Sequence, residues 1–259
     1  MTTQENRQPP IDRDRIYAQE CRRLADFNFG RETAAVFDDM LDRSVPLYGE
    51  IQRMVGELVG DFAADGTNVY DLGCSTCNTF LASAVFLPEN IDVRFVGIDS
   101  SPQMLEKARQ KLDAAGFNRP FELARGDLNQ GLRIENASVV LLILTLQFVR
   151  PLARSRVIEE IYRGLNDNGC LILVEKVLGE YSTFNRLYIE HYYAMKRRNG
   201  YSELEIAQKR EALENVLIPY RLEENKELLR HEGFQQVDTF FKWYNFCGMI
   251  AQKGEPDRP

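Results

Sequence analysis

The residues best placed to do chemistry begin with the run Val69-Tyr70-Asp71-Leu72-Gly73-Cys74-Ser75-Thr76-Cys77, where an apolar stretch runs into a turn of small side chains. A strand ending in such a turn brings backbone N–H groups close to a ligand, and Gly73 permits that approach because it carries no Cβ. A second apolar run, 93–98, closes on Asp99, Ser100 and Ser101. An acidic residue at the end of a second strand is placed to grip ribose hydroxyls. A third run, 121–124, leads to Gly126-Asp127-Leu128, and Asp127 can accept from an adenine amino group. Together, these three strand ends predict a site for an adenosine-containing ligand. The turn reads Gly73-Cys74-Ser75-Thr76-Cys77-Asn78 rather than G-x-G-x-x-G, which disfavours a nicotinamide dinucleotide.

Cys74 and Cys77 have the spacing of a metal or redox pair. No second cysteine pair or nearby histidine completes a four-ligand set, so no metal is expected. Small residues suit a turn that must approach a ligand, and that is reason enough for both cysteines. His191 and His231 have no triad-like company, whereas 181–201, with Tyr188, Tyr192 and Tyr193, is rich enough in aromatics to line a pocket or an interface.

The elements that must position these residues alternate in type. Helical spacing dominates 15–63, broken at 43–48, where Pro46 suits a helix start and Ile51, Met54, Val55 and Leu58 recur on one face. Strands are predicted over 68–72, 93–98, 121–124, 138–144 and 170–174. Ser101 caps a helix with Pro102 at its first position, and 155–165 forms another before the turn Asn166-Asp167-Asn168-Gly169. Strand–helix alternation of this kind means βαβ units, and the continuous apolar runs suit parallel strands covered on both faces. Two final strands, 237–243 and 246–251, are close enough to pair as an antiparallel hairpin. The fold expected is therefore α/β, doubly wound, with a mostly parallel seven-stranded sheet, and this arrangement resembles the class I methyltransferases. Residues 1–14 read as a flexible arm, 15–253 as one domain and 254–259 as a polar tail. A helical insertion over 177–221, with the capping-box pattern Ser202-x-x-Glu205, should lie over the ligand crevice as a lid or a dimer element.

Composition narrows the function classes. The 259 residues carry a formal net charge of −7, which argues against tracking a nucleic-acid backbone. Five scattered cysteines form no disulfide framework and point to a reduced, cytoplasmic compartment. The N-terminus has no apolar run of a signal peptide, and the longest apolar stretch, 139–144, is too short to span a bilayer.

Several motifs resemble the carboxy-S-adenosyl-L-methionine synthase family of tRNA wobble-uridine modification. They are Arg-Ser-Val-Pro-x-Tyr (43–48), Asp-Leu-Gly-Cys-Ser (71–75), Ile-Glu-Asn-Ala-Ser (134–138), Thr-Leu-Gln-Phe (145–148) and Asn-Gly-Tyr-Ser-Glu-Leu-Glu-Ile-x-Gln-Lys-Arg (199–210). The resemblance runs from about Phe27 to Lys253, and its last motif falls in the insertion. It implies S-adenosyl-L-methionine as substrate, prephenate as carboxyl source, and a homodimer. The cofactor contacts it implies are Tyr48, Gly73, Cys74, Ser75, Asp99, Ser100, Asp127 and Leu128. Arg210 is the implied carboxylate-binding residue, reaching in from the other subunit, and Tyr48 and Arg210 are the implied catalytic pair. This sequence departs from the family pattern in having Cys77 in place of a glycine and Ile143 in place of an asparagine. Two other readings of the residues stay open: an ordinary methyltransferase of a small molecule, and a non-catalytic S-adenosyl-L-methionine-binding protein.

Overall fold

A computed structural model describes residues 13–21 and 24–254. Helices α1 (Arg31–Ser44) and α2 (Tyr48–Phe62) precede an alternating series. It comprises β1 (Thr67–Leu72), α3 (Asn78–Ala84), β2 (Val93–Asp99), α4 (Pro102–Ala114), β3 (Phe121–Arg125), β4 (Ala137–Ile143), α5 (Pro151–Gly164) and β5 (Leu165–Lys176). Then come α6 (Ser182–Arg198), α7 (Glu203–Leu213), α8 (Leu222–His231) and the hairpin β6 (Gln236–Trp243) and β7 (Phe246–Gln252). The sheet order is β3-β2-β1-β4-β5-β7-β6, with β7 antiparallel to both neighbours. The predicted α/β class, the parallel core and the closing hairpin are all present.

Local chemistry accounts for the boundaries that matter to the site. Ser101 caps α4 by accepting from the Met104 N–H at 3.2 Å, and Pro102 occupies the first helical position. β4 is buried over six consecutive residues, as a strand covered on both faces must be. One face of the sheet packs Val157, Ile158 and Ile161 of α5 and Leu229 of α8. The other packs Ile51, Val55 and Val59 of α2 with Phe80 of α3 and Ala108 and Leu112 of α4. Each of the larger of these side chains, Ala108 excepted, contributes roughly 1.5–3 kcal/mol of burial. Strand order reverses between β1 and β4, so the crevice for a ligand opens at their carboxyl ends.

Two expectations change. Helix was predicted from about residue 15, yet it starts only at Arg31. The preceding segment satisfies its backbone against α7 instead: Gln208 accepts from the Cys21 N–H at 2.8 Å and donates to the carbonyls of Tyr17 and Gln19, both at 2.9 Å. The turn 166–169 survives as a bulge within β5. Ala137 pairs with Leu165 and Val139 with Cys170, and the intervening residues loop out, with Asn168 at φ 62°.

The arm expected over 1–14 lies outside the described residues except for its last two. Of these Asp14 is buried, accepting from the Tyr201 hydroxyl at 2.6 Å. The tail beyond Gly254 is likewise outside them. No helix among the described residues is long and apolar enough to cross a membrane.

Candidate active site

The glycine turn after β1 is held by the neighbouring strand. The N–H groups of Gly73 and Cys74 both donate to the Ile98 carbonyl, at 2.7 and 3.1 Å. Gly73 has φ +81°, and a Cβ there would lie 2.5 Å from the Thr145 side chain. Both facts demand glycine. Ser75 and Cys77 take positive φ, 48° and 59°, and Cys77 does so as the residue preceding α3. A glycine would sit in that left-handed region without strain, whereas a cysteine there costs about 1–2 kcal/mol. Its N–H is satisfied by the Cys74 carbonyl at 2.7 Å. The Cys74 thiol is held well above its ordinary pKa, first by its hydrogen bond with Cys77 and then by burial. Among the described residues no group of three or more His, Cys, Asp or Glu is placed to hold a metal ion.

Asp99 ends β2 with its two oxygens committed. Oδ2 accepts from the Ser75 N–H at 3.0 Å and Oδ1 from the Ser101 N–H at 2.8 Å, which ties the first loop to the second. Burial still raises its pKa, against the lowering pull of those bonds. Asp71 lies deeper, 2% exposed, and burial with the nearby Asp99 charge pushes it up to about 7. Asp127 stands at the more open end. It accepts from the Asn129 N–H and side-chain amide, both at 2.9 Å, and from Gln130, and these bonds hold its pKa low.

A cleft of about 240 Å³ gathers these strand ends. Tyr48, Gly73, Cys74, Ser75, Asp99, Ser100, Asp127 and Leu128 all line it, as do Ile143 and Thr145. The donor set fits an adenosine ligand: carboxylates at the second and third strand ends can accept from hydroxyl and amino groups, beside a turn whose backbone admits close approach. Phe29, Phe148 and Phe246 add apolar wall. Tyr48 opens α2 and accepts from the Asn78 side-chain amide at 3.2 Å. Asn78 in turn is held by Lys111 at 2.6 Å, and Lys111 pairs with Asp38. Burial first, against that bond, raises the Tyr48 phenol above its ordinary value.

Sequence reasoning passed over Asp71, Asn78 and Thr145 as individual residues, although Asp71 and Thr145 sit inside quoted motifs. It also passed over Glu175, which accepts from the N–H groups of Leu146 and Gln147 at 2.9 and 2.7 Å. That grip fixes the turn carrying Thr145. Burial pushes Glu175 up to about 8.

Arg210 is the one expected site residue that does not line this cleft. It is exposed on α7 and lines a second cavity, of about 280 Å³, between the end of β5, α6 and α7. Lys176, Tyr192, Lys209, Leu213 and Leu217 line both spaces, so the two share a wall.

A family model described as a methyltransferase domain matches residues 69–169, the stretch carrying all three strand ends. Solved structures share the fold at low identity. A putative S-adenosyl-L-methionine-dependent methyltransferase from Methanococcus maripaludis is 18% identical with a TM-score of 0.59, covering 90% of this chain and 97% of that one. Human N-acetylserotonin methyltransferase in complex with SAM is 14% identical with a TM-score of 0.57, covering 86% of this chain and 55% of that one. The curated relatives are much nearer. A carboxy-S-adenosyl-L-methionine synthase from Methylococcus capsulatus is 56% identical over 94% of this chain and 100% of its own length. One from Escherichia coli is 40% identical over 94% of this chain and 98% of its own. With the insertion matched along with the nucleotide-binding half, the chain belongs to the carboxy-S-adenosyl-L-methionine synthase family.

Proposed function

We propose that this protein converts S-adenosyl-L-methionine and prephenate into carboxy-S-adenosyl-L-methionine, phenylpyruvate and water, supplying the carboxymethyl donor for tRNA wobble-uridine modification. The observation that carries this reading is the 56% identity to a relative of that name over its whole length. The atoms balance. Prephenate loses its ring carboxyl as CO2 and its ring hydroxyl as it becomes aromatic, the sulfonium methyl loses a proton, and hydroxyl and proton leave as water. The carbanion left beside the positive sulfur attacks CO2 and forms the new C–C bond. A cleft walled by Phe29, Phe148 and Phe246 supports this step, because excluding water strengthens the sulfonium–carbanion attraction and limits quenching of the carbanion.

In this reading Asp99 and Asp127 hold the ribose and adenine, the Gly73–Ser75 backbone faces the amino-acid moiety, and Tyr48 borders the methyl group. Arg210 binds the new carboxylate across a homodimer, in the cytoplasm. A bidentate guanidinium is the best-shaped partner for that group. The exposure of Arg210 on its own subunit is compatible with such a reach. Arg210→Ala should leave S-adenosyl-L-methionine affinity nearly unchanged, lower product affinity by about 2–5 kcal/mol, and abolish prephenate-dependent turnover. Mixing it with Asp99→Ala should restore some activity, since one site of the mixed dimer keeps both residues. Calorimetry, and mass spectrometry of the nucleoside formed, provide the readout. Equal loss of affinity for both nucleosides would make Arg210 structural, and S-adenosylhomocysteine as the nucleoside formed would indicate methyl transfer instead.

A further inference from the structure

Three lysines meet where the two cavities adjoin. Lys176 ends β5, Lys196 lies in the last turn of α6, and Lys209 lies in α7. Lys196 and Lys209 are only 4% and 6% exposed, and all three line the second cavity. Tyr192 packs among them, with the Nζ atoms of Lys176 and Lys196 at 4.7 and 5.6 Å from its ring centroid. Among the described residues one carboxylate stands within ion-pair distance of the trio: Asp14, at 3.5 Å from Lys209. That carboxylate already accepts from the Tyr201 hydroxyl, and the nearby Arg43, stacked on the Tyr201 ring, has its own partner in Asp39 at 3.1 Å. Burying ammonium groups without counter-charges is unfavourable, and a purely structural cluster would pair each of them. This one leaves positive charge in excess within a protein whose formal net charge is −7.

A second observation points the same way. Asn245 lines the same cavity, is 1% exposed, and its side-chain amide has neither donor nor acceptor partner among the described residues. Buried polar groups are ordinarily paired, so an orphaned amide facing a cavity marks a place for a polar ligand.

We infer that Lys176, Lys196 and Lys209, with Asn245, form the subsite that holds the two carboxylates of the proposed second substrate. The inference rests on the proposed reaction for which cavity adjoins the methyl group, and it adds which residues select the co-substrate. Lys176 and Lys209 face both spaces, so a carboxyl group held by them stands at the boundary with the cleft. Lys196 faces the second cavity alone and anchors the far carboxylate. The Tyr192 ring supplies an apolar wall for the carbon skeleton between them.

Burial first, then repulsion among the lysines, lowers Lys196 to about 7, and burial lowers Lys176 and Lys209 to about 8. The groups facing Lys196 are Lys209 and Glu205 of α7, Lys176 of β5, and Asp14; the carboxylates oppose the shift only in part. Dianion affinity should therefore weaken as pH rises past about 7, where Lys196 loses its proton, and further past about 8, while affinity for S-adenosyl-L-methionine, held by carboxylates and backbone, should not.

The test uses the full chain loaded with S-adenosyl-L-methionine and Lys196→Met, which keeps the length of the side chain and removes its charge. Expected are a KM for prephenate raised at least about tenfold and a KM for S-adenosyl-L-methionine within about twofold of the unmodified protein. Independently, the unmodified protein should bind prephenate, a dianion, at least about tenfold more tightly than phenylpyruvate, a monoanion. A folded Lys196→Met variant with unchanged prephenate KM would overturn the subsite, as would equal affinity of the unmodified protein for the two anions. If the unmodified protein binds prephenate in a Lys196-dependent way but forms no carboxylated nucleoside, the proposed reaction fails and the subsite stands.

Discussion

At the ends of β1, β2 and β3, polar contacts form over short distances along the chain or between adjacent strands. Asp99 holds Ser101 two residues on and Ser75 on the next strand, and Asp127 holds Asn129. Around α6 and α7 the reverse applies: Lys176, Lys196 and Lys209 come from three separate elements, and Asp14 reaches Lys209 across most of the chain. The first region is acidic and built from loops; the second is cationic and built from the end of β5 and two helices. A ligand that donates hydrogen bonds suits the one, and a ligand that brings negative charge suits the other. In the proposed reaction this contrast sorts the two substrates by charge.

The sharpest way to break that division is Asp99→Ala. With Asp99 on the ribose as proposed, the variant should lose two charge-assisted contacts, each worth about 1.5–3 kcal/mol, and weaken S-adenosyl-L-methionine binding by their sum. Calorimetric titration checks it. Near-unchanged affinity in a folded variant would take Asp99 out of the site and leave the acidic half without its main anchor.

Asp71 tests whether the acidic half carries strain of its own. Its ordinary pKa of 3.8 rises to about 7 in the fold, so between those values the folded chain binds a proton that the unfolded chain lacks. Stability contributed by that proton is lost as pH climbs from about 4 to about 7, at up to about 1.4 kcal/mol per pH unit. Asp71→Asn should remove the slope, raising the melting temperature relative to the unmodified protein at pH 8 and changing it little at pH 4. An equal difference at both pH values would mean that Asp71 does not titrate in this range.

The smallest effect is expected at the seam. Ile143 is partly buried, packs on the core and also lines the cleft. Ile143→Asn should be tolerated, altering turnover more than stability, because its amide can face the cleft. A loss of about 1–3 kcal/mol in a melting experiment would show the amide trapped unpaired in the core, and the side chain would then belong to the fold rather than the site.

The same contrast governs what could be read from the chain. Asp99 announced itself because it closes an apolar run and precedes two serines, a signal contained in a few adjacent residues. Strand positions were legible for the same reason, the β4 run being apolar throughout. Lys196 gave no such signal: beside Arg197 and Arg198 it reads as one more solvated charge, and only the packing of α6 against its neighbours buries it. The early segment read as helix since its local pattern allows one, and the side chain that redirects it, Gln208, lies nearly two hundred residues away. Arg210 was reachable only through the motif at 199–210; charge and spacing alone would have left it on a helix surface.

The sheet order carries a consequence for how the protein comes into being. β7 is the last strand in sequence yet sits inside the sheet, between β5 and β6, and Phe246 at its start closes part of the cleft. During synthesis the nucleotide-binding half leaves the ribosome well before the strand that covers β5 is made. Until then β5 presents an unpaired edge beside an open cavity, the kind of surface on which nascent chains stick to one another. The long-range pairing of β7 is also the slow kind, since its loop must close before it gains contacts. Substrate affinity should accordingly arise late and all at once, and a nascent chain halted ahead of Phe246 should be held by chaperones rather than by nucleoside, a difference that pulldown of stalled ribosomes would read directly.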